Sequence, residues 1–329
     1  MNKTKDNEAI KIKGEKMNSD VKQQTIKKQK DDDYIYDRHG NRIRIWVGND
    51  KEEKEIDAKT YNLIFASNFK VQFPYLAIKY PEILLMFPYA KRLEEIKKRL
   101  LNKIIKINKI KHFKIELKNK KIKLNNASFS LINDIYINDQ YNLKKINIKN
   151  KIVIDIGANI GSFSLYAAAL GAKKVYAFEP VKATYELLKE NIRNNNFGDI
   201  IIPINKALGE KEETKQIFFS NAGDVGATMN QQMRKDNVKS INIDIIPLDK
   251  FIKENKISRV DFIKMDVEGY EEQVLLGAKE TIKKWKPILS FSAYHLPTDK
   301  ERLPKIVKSI RSDYKITLNK FAEEDFYCE

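Results

Sequence analysis

The run KIVIDIGANIGSFSLYAAAL, residues 151–170, changes character twice within twenty positions. Lys151–Ile156 is apolar and of strand length. Asp155, Gly157, Asn159 and Gly161 then form an acidic, glycine-bearing turn. Residues 161–170 carry small and apolar side chains suited to a buried helix. Strand, glycine turn and helix in that order let the backbone bend sharply and meet a ligand at a helix N-terminus. Downstream the alternation continues. Strands are expected at Lys174–Phe178, 200–207, 215–219, 241–246, Val260–Met265 and 287–293. Helices are expected at 182–195, 270–284 and 300–312. Short apolar runs alternating with helices predict an α/β fold with a mainly parallel sheet.

The turn also has a chemical bias. Glu179 ends the second strand, 24 residues after Asp155, where a carboxylate can accept hydrogen bonds from ribose hydroxyls. Asp155 puts negative charge beside the ligand. A pyrophosphate is repelled by it, whereas S-adenosylmethionine brings a sulfonium and an ammonium. The D-x-G-x-N-x-G loop therefore favours S-adenosylmethionine over a nicotinamide dinucleotide.

Several blocks together resemble the FkbM-type S-adenosylmethionine-dependent methyltransferases. They are VIDIGANIGSFSLYAA (153–168), VYAFEPV (175–181), NKALG (205–209), IPLDKFI (246–252) and FIKMDVEGYEEQVLLGA (262–278). The DVEG block with Leu276, Gly277 and Ala278 is the most specific of them. The likeness runs from near Phe113 to about Ile310. It implies the Rossmann-like class I methyltransferase sheet, with one antiparallel strand late in the chain. It also implies methyl transfer to a hydroxyl of a sugar, glycan or secondary metabolite. For the residues it implies that Asp155, Gly157, Asn159 and Gly161 form the loop around the methionine moiety. Glu179 would hold the ribose, with Pro180 shaping the turn behind it. Asn205 and Ala207 would lie toward the adenine, Ala207 having strand-end packing as its alternative.

Candidate catalytic residues follow from strand ends. Asp266, Glu268 and Gly269 sit at the carboxyl end of the fourth strand, the edge where open α/β sheets bind ligands. Asp266 is read as a wall of the acceptor site or a metal ligand. Glu268 either faces that site or serves the N-terminus of the next helix. Oxygen ligands here suit Mg²⁺, but two carboxylates make no full ligand set, and no metal is predicted. His295, beside Tyr294, ends a later strand. Imidazole is suited to taking a proton from a hydroxyl near neutral pH. His39 and His112 are read as structural or exposed, and Tyr136 and Tyr141 as core residues or a cover for the acceptor pocket.

The first third of the chain reads differently. Residues 1–33 are Lys, Asn, Gln and Asp with almost no aromatics, and are expected to be a disordered tail with no signal-peptide core. Residues 34–110 form an extension: a hairpin from Tyr34–Tyr36 and Ile43–Val47, then a basic amphipathic helix through Leu93, Ile96, Leu100 and Ile104. A second hairpin, Phe113–Leu117 with Ile122–Leu124, opens the methyltransferase domain, 111–329. The 329 residues hold 62 Lys+Arg and 45 Asp+Glu, a net charge of +17. Residues 91–124 alone carry +11, and could meet an anionic surface. Only 10 of the basic residues are Arg, which argues against nucleic-acid recognition by bidentate forks. No apolar run is long enough to span a bilayer, and the lone Cys328 excludes an internal disulfide. A cytoplasmic protein is expected, with a membrane-peripheral one as the variant that the basic helix allows. The rival functions are an RNA methyltransferase, and a non-catalytic cofactor-fold module docking to a membrane or a glycan-assembly partner.

Overall fold

The computed structural model describes residues 35–64, 106, 110–117, 120–224, 226–233, 238–320 and 324–329. The tail expected over 1–33 and the basic helix expected over 89–107, Lys106 apart, lie outside the described residues. Among the described residues no helix is long and apolar enough to cross a membrane.

Strands β1 (Ile35–Tyr36), β2 (Arg42–Gly48), β3 (Glu53–Ile56), β4 (His112–Leu117) and β5 (Lys120–Asn125) form one antiparallel sheet. Both expected hairpins are present, as β1–β2 and β4–β5. The boundary expected at 110 falls between two strands of this sheet. β2 pairs with β4, Ile45 opposite Ile115, so the sheet runs through that boundary. Ile45, Val47, Ile115, Ile122 and Leu124 are buried in the same core as Val153, Phe163 and Ala167. The extension and the following domain therefore share hydrophobic contacts, and neither can be removed without exposing the other.

The second sheet carries β6 (Ile152–Ile156), β7 (Lys174–Phe178), β8 (Ile201–Ile204), β12 (Phe262–Met265), β13 (Ile288–Ser292), β14 (Ile316–Lys320) and β15 (Glu324–Cys328). Its order is β14-β15-β13-β12-β6-β7-β8. From β13 to β8 every pairing is parallel. β15 alone runs against its neighbours, as the family resemblance implies. Helices α1 (Ser162–Ala169), α2 (Lys182–Asn194), α3 (Leu248–Glu254), α4 (Glu271–Leu276), α5 (Lys279–Trp285) and α6 (Asp299–Ile310) make the crossovers and flanks. α1 is buried on every side, the outcome for a helix apolar all round between two layers. The segments 200–207, 215–219 and 241–246 do not all enter this sheet. β9 (Ala207–Leu208), β10 (Glu213–Phe219) and β11 (Lys239–Ile246) form a separate three-stranded one.

The helix expected as one piece over 270–284 is broken into α4 and α5 at Gly277. The physical reason is proximity. A Cβ on Gly277 would lie 1.9 Å from the Gly209 carbonyl oxygen, so this turn and the turn after β9 touch backbone to backbone. The motif ends NKALG and LLGA are thus two sides of one contact. Gly277 has φ −80°, which alanine adopts freely, so space alone forbids a side chain. Gly277→Ala should therefore cost about 1–3 kcal/mol in urea denaturation. An unchanged midpoint would disprove the contact.

Candidate active site

The chain runs outward from β6 through β7 to β8, then returns to lay β12 on the other side of β6. The carboxyl ends of β6 and β12 therefore border a topological switch point, where such sheets open a crevice. The two loops there are pressed together. Gly157 has φ +76°, and a Cβ on it would fall 1.9 Å from the Asp266 carbonyl oxygen. Asp266 N–H donates to the Ile156 carbonyl at 3.0 Å.

Behind the loop lies an ion pair that the sequence reading missed. Lys264 is the register partner of Asp155 across β12 and β6. Its Nζ stands 3.3 Å from Asp155 Oδ1 and donates to the Gly157 carbonyl at 2.7 Å. Ser164 Oγ donates to the other oxygen of Asp155 at 2.6 Å. The two ionic side chains are 5% and 0% exposed. Asp155 is thus set behind the crevice and fixes the loop from below. One signal was available: parallel strands buried on both faces read as unbroken apolar runs, and a lysine in Phe-Ile-Lys-Met violates that rule. Lys264→Met should cost about 3–5 kcal/mol by leaving a buried charge unpaired. Adding Asp155→Asn should recover most of the loss in the same denaturation assay. Additive losses would show that the two groups are not coupled.

The crevice is open to solvent. Gly157, Asn159, Glu179, Ala207, Asp266 and Glu268 all line it, joined by Tyr141, Lys206 and Lys264. Glu179 Oε2 accepts from Asn159 N–H at 3.0 Å, and Oε1 from Val181 N–H at 2.8 Å. Each oxygen keeps a lone pair for a ligand hydroxyl. Asn205 is turned away: its amide donates to the carbonyls of Glu179 and Pro180 and pins their turn. Gly161 also stands outside the crevice; a Cβ there would lie 2.6 Å from Leu188 Cδ1, so it serves the packing of α1 on α2.

Burial pushes the Glu179 carboxyl up to about 7, although the two backbone N–H bonds pull the other way. A carboxyl raised on folding stabilises fully below its unfolded value near 4.5, and that stability is lost as pH rises through 7. Glu179→Gln should flatten this decline in denaturation midpoints measured from pH 5 to 7.5. A slope identical to that of the wild type would rule the effect out.

The opposite wall is acidic. Asp266 accepts from Ser292 Oγ and Tyr141 Oη, both at 3.1 Å. Tyr141 thus covers the crevice, whereas Tyr136 is core and donates to the Ser162 carbonyl. Glu268 sits at φ +53°, a left-handed conformation unusual for glutamate, with its carbonyl held by Thr228 Oγ1 at 2.8 Å. The N-cap of α4 is Tyr270 and makes no side-chain cap bond, so Glu268 does not serve that helix end. It faces His295 instead. His295 Nε2 lies 3.5 Å from Glu268 Oε1 and 3.6 Å from Asp266 Oδ1. Its Nδ1 is 2.8 Å from Glu271 Oε1, a carboxylate 1% exposed that sequence reading did not single out. Burial alone would depress the imidazole, but Glu268, Glu271 and Asp266 overcome it and push it up to about 11. His295 stands behind the carboxylates, and Tyr294, 38% exposed, points outward. His39 is bonded to Asp139 and the buried His112 to Glu53, and neither lines the crevice.

The chain is similar to several known proteins. AMB antimetabolite synthetase AmbE of Pseudomonas aeruginosa is 27% identical over 181 residues, 44% of this chain and 8% of that protein. Hexuronic acid methyltransferase AglP of Haloferax volcanii is 24% identical over 184 residues, 54% of this chain and 70% of that protein. A solved structure of methyltransferase FkbM from Methylobacillus flagellatus KT has a TM-score of 0.42 and 24% identity, covering 61% of this chain and 53% of that one. The chain thus spans from under a tenth to seven tenths of the length of these relatives. Residues 155–325, more than half of the 329, match the methyltransferase FkbM domain. With its crevice at the switch point and its acidic loop residues inside that match, the chain belongs to the FkbM methyltransferase family.

Proposed function

We propose that this methyltransferase acts on a hydroxyl group of a sugar or other small polar molecule. The observation that carries the reading is the acidic wall of Asp266 and Glu268, backed by His295, at the rim of the crevice. AglP, a hexuronic acid methyltransferase, adds support from a relative.

The cofactor of the family is S-adenosylmethionine, and the crevice fits it in kind. A desolvated carboxylate with spare lone pairs, Glu179, suits a ribose diol. The acidic rim suits a cationic sulfonium. When bound, the cofactor supplies an electrophilic methyl group. The chain's own work is positional. The turn 157–161 and Glu179 would hold the cofactor, with Lys264 and Asp155 keeping that turn rigid. Tyr141 and Ser292 orient Asp266, so its carboxylate would present one fixed acceptor geometry to an incoming hydroxyl. Holding the reacting oxygen in line at about 3–3.5 Å supplies much of the rate. The hydroxyl proton would pass to the carboxylate–imidazole cluster, in which burial has raised Glu268 and so brought it closer to the value a general base needs. His295 acts through the two carboxylates as a positioning residue. A carboxylate-lined rim is ill suited to an RNA backbone, which recruits cations.

Incubation with methyl-labelled cofactor and fractionated cell extract tests the reading. Label should enter glycan or small-molecule pools; label confined to RNA would overturn it. Glu179→Gln should weaken cofactor binding about 10–100-fold in calorimetry, the loss expected for a charge-assisted hydrogen bond. His295→Gln should bind cofactor within about threefold of wild type yet transfer methyl at least about 100-fold more slowly. Undiminished transfer by that variant would remove His295 from the mechanism.

A further inference from the structure

We infer that Asp266, Glu268 and His295 form a site for one divalent metal cation, of the kind that takes mixed nitrogen and oxygen ligands. The sequence places Asp266 and Glu268 at this edge and His295 at the end of a later strand. The fold adds the third donor, from the end of β13. One ligand atom from each residue lies within 4.8 Å of the others.

An acidic pair is common without a metal, so the weight rests on the imidazole. The His295 side chain is 97% buried by exposure of 3%, and among the described residues its Nε2 has no hydrogen-bond partner. It aims between the two carboxylates at 3.5 and 3.6 Å, beyond ordinary N–H···O range. Donors about 2.1 Å from a shared ion lie roughly 3–3.5 Å from each other, close to these separations. The other ring nitrogen is committed. Nδ1 meets Glu271 Oε1 at 2.8 Å, and the same oxygen accepts from Val267 N–H at 3.2 Å. This is the arrangement by which metal-binding histidines are oriented: one ring nitrogen on a carboxylate, the other turned to the ion, which would displace its proton on binding. Asp266 is oriented likewise, by Ser292 and Tyr141.

Charge argues the same way. Three carboxylates converge on one imidazole, while Lys264, the cleft lysine on β12, is held by Asp155 and the Gly157 carbonyl. A divalent cation would relieve that repulsion. One imidazole with two carboxylates suits Mn²⁺ among common ions, with Mg²⁺ and Zn²⁺ as comparators. Its use would be to acidify an acceptor hydroxyl, a role that rests on the hydroxyl-methylation reading; the binding itself does not.

The full chain, stripped with EDTA and dialysed, is titrated with Mn²⁺ in calorimetry, with no cofactor or acceptor present. One saturable site is expected. Glu268→Gln should weaken it at least tenfold, and Glu271→Gln, which spares all three ligands, about 10–100-fold. Should a variant fail to fold, the wild-type Mn²⁺ complex still decides: its electron spin-echo spectrum should carry the ¹⁴N coupling of one imidazole. Absence of that coupling overturns the site. So does the absence of saturable uptake of Mn²⁺, Mg²⁺ or Zn²⁺ below about 1 mM, or uptake undiminished in Glu268→Gln. Methyl transfer in EDTA is measured separately. Failure of metal uptake with transfer intact rejects the metal and leaves the hydroxyl-methylation reading standing.

Discussion

The register of β6 against β12 puts Lys264 opposite Asp155, and both charges are sealed from water. Neither could remain there alone. The lysine also grips the Gly157 carbonyl, so the pair clamps the cofactor turn from beneath while Gly157 meets the Asp266 backbone from the side. Two loops far apart in sequence are thereby fixed to within one backbone contact. The crevice and its acidic rim depend on that fixture, because a shift of either strand end would part Glu179 from Asp266.

Acidic residues in this molecule do three separate jobs, set by surroundings rather than by type. Asp155 is paired and structural. Glu179 is desolvated, tied to two backbone N–H groups, and faces the crevice. Asp266, Glu268 and Glu271 crowd one imidazole. The strained backbone of Glu268 belongs with the third group, for it is what turns that carboxylate toward His295 and away from the helix that follows.

Much of the main sheet was legible because strands buried on both faces are apolar but for an occasional residue, and KIVIDI, VYAF and FIKM announce themselves. Gly157, Asn159, Glu179, Ala207, Asp266 and Glu268 could be nominated from their place at strand ends, and all six border the crevice. What escaped was set by partners distant in the chain. Nothing near Lys264 in sequence reveals Asp155, and nothing near Glu271 reveals His295. The break at Gly277 depends on Gly209, nearly seventy positions earlier. The hairpin of β14 and β15 was not assigned from residues at all: its strands are short and half polar. The shared sheet of β2 and β4 was hidden by the long segment between them.

The position of β15 has a bearing on assembly. β14 reaches the sheet only through β15, which must first slot in beside β13. Until then β13 offers a bare row of backbone donors and acceptors on an apolar strand, with α6 and β14 still to be made before its cover emerges. During synthesis that edge is a template for strands of other nascent chains. The antiparallel strand that completes the sheet is thus also the one that retires its exposed edge.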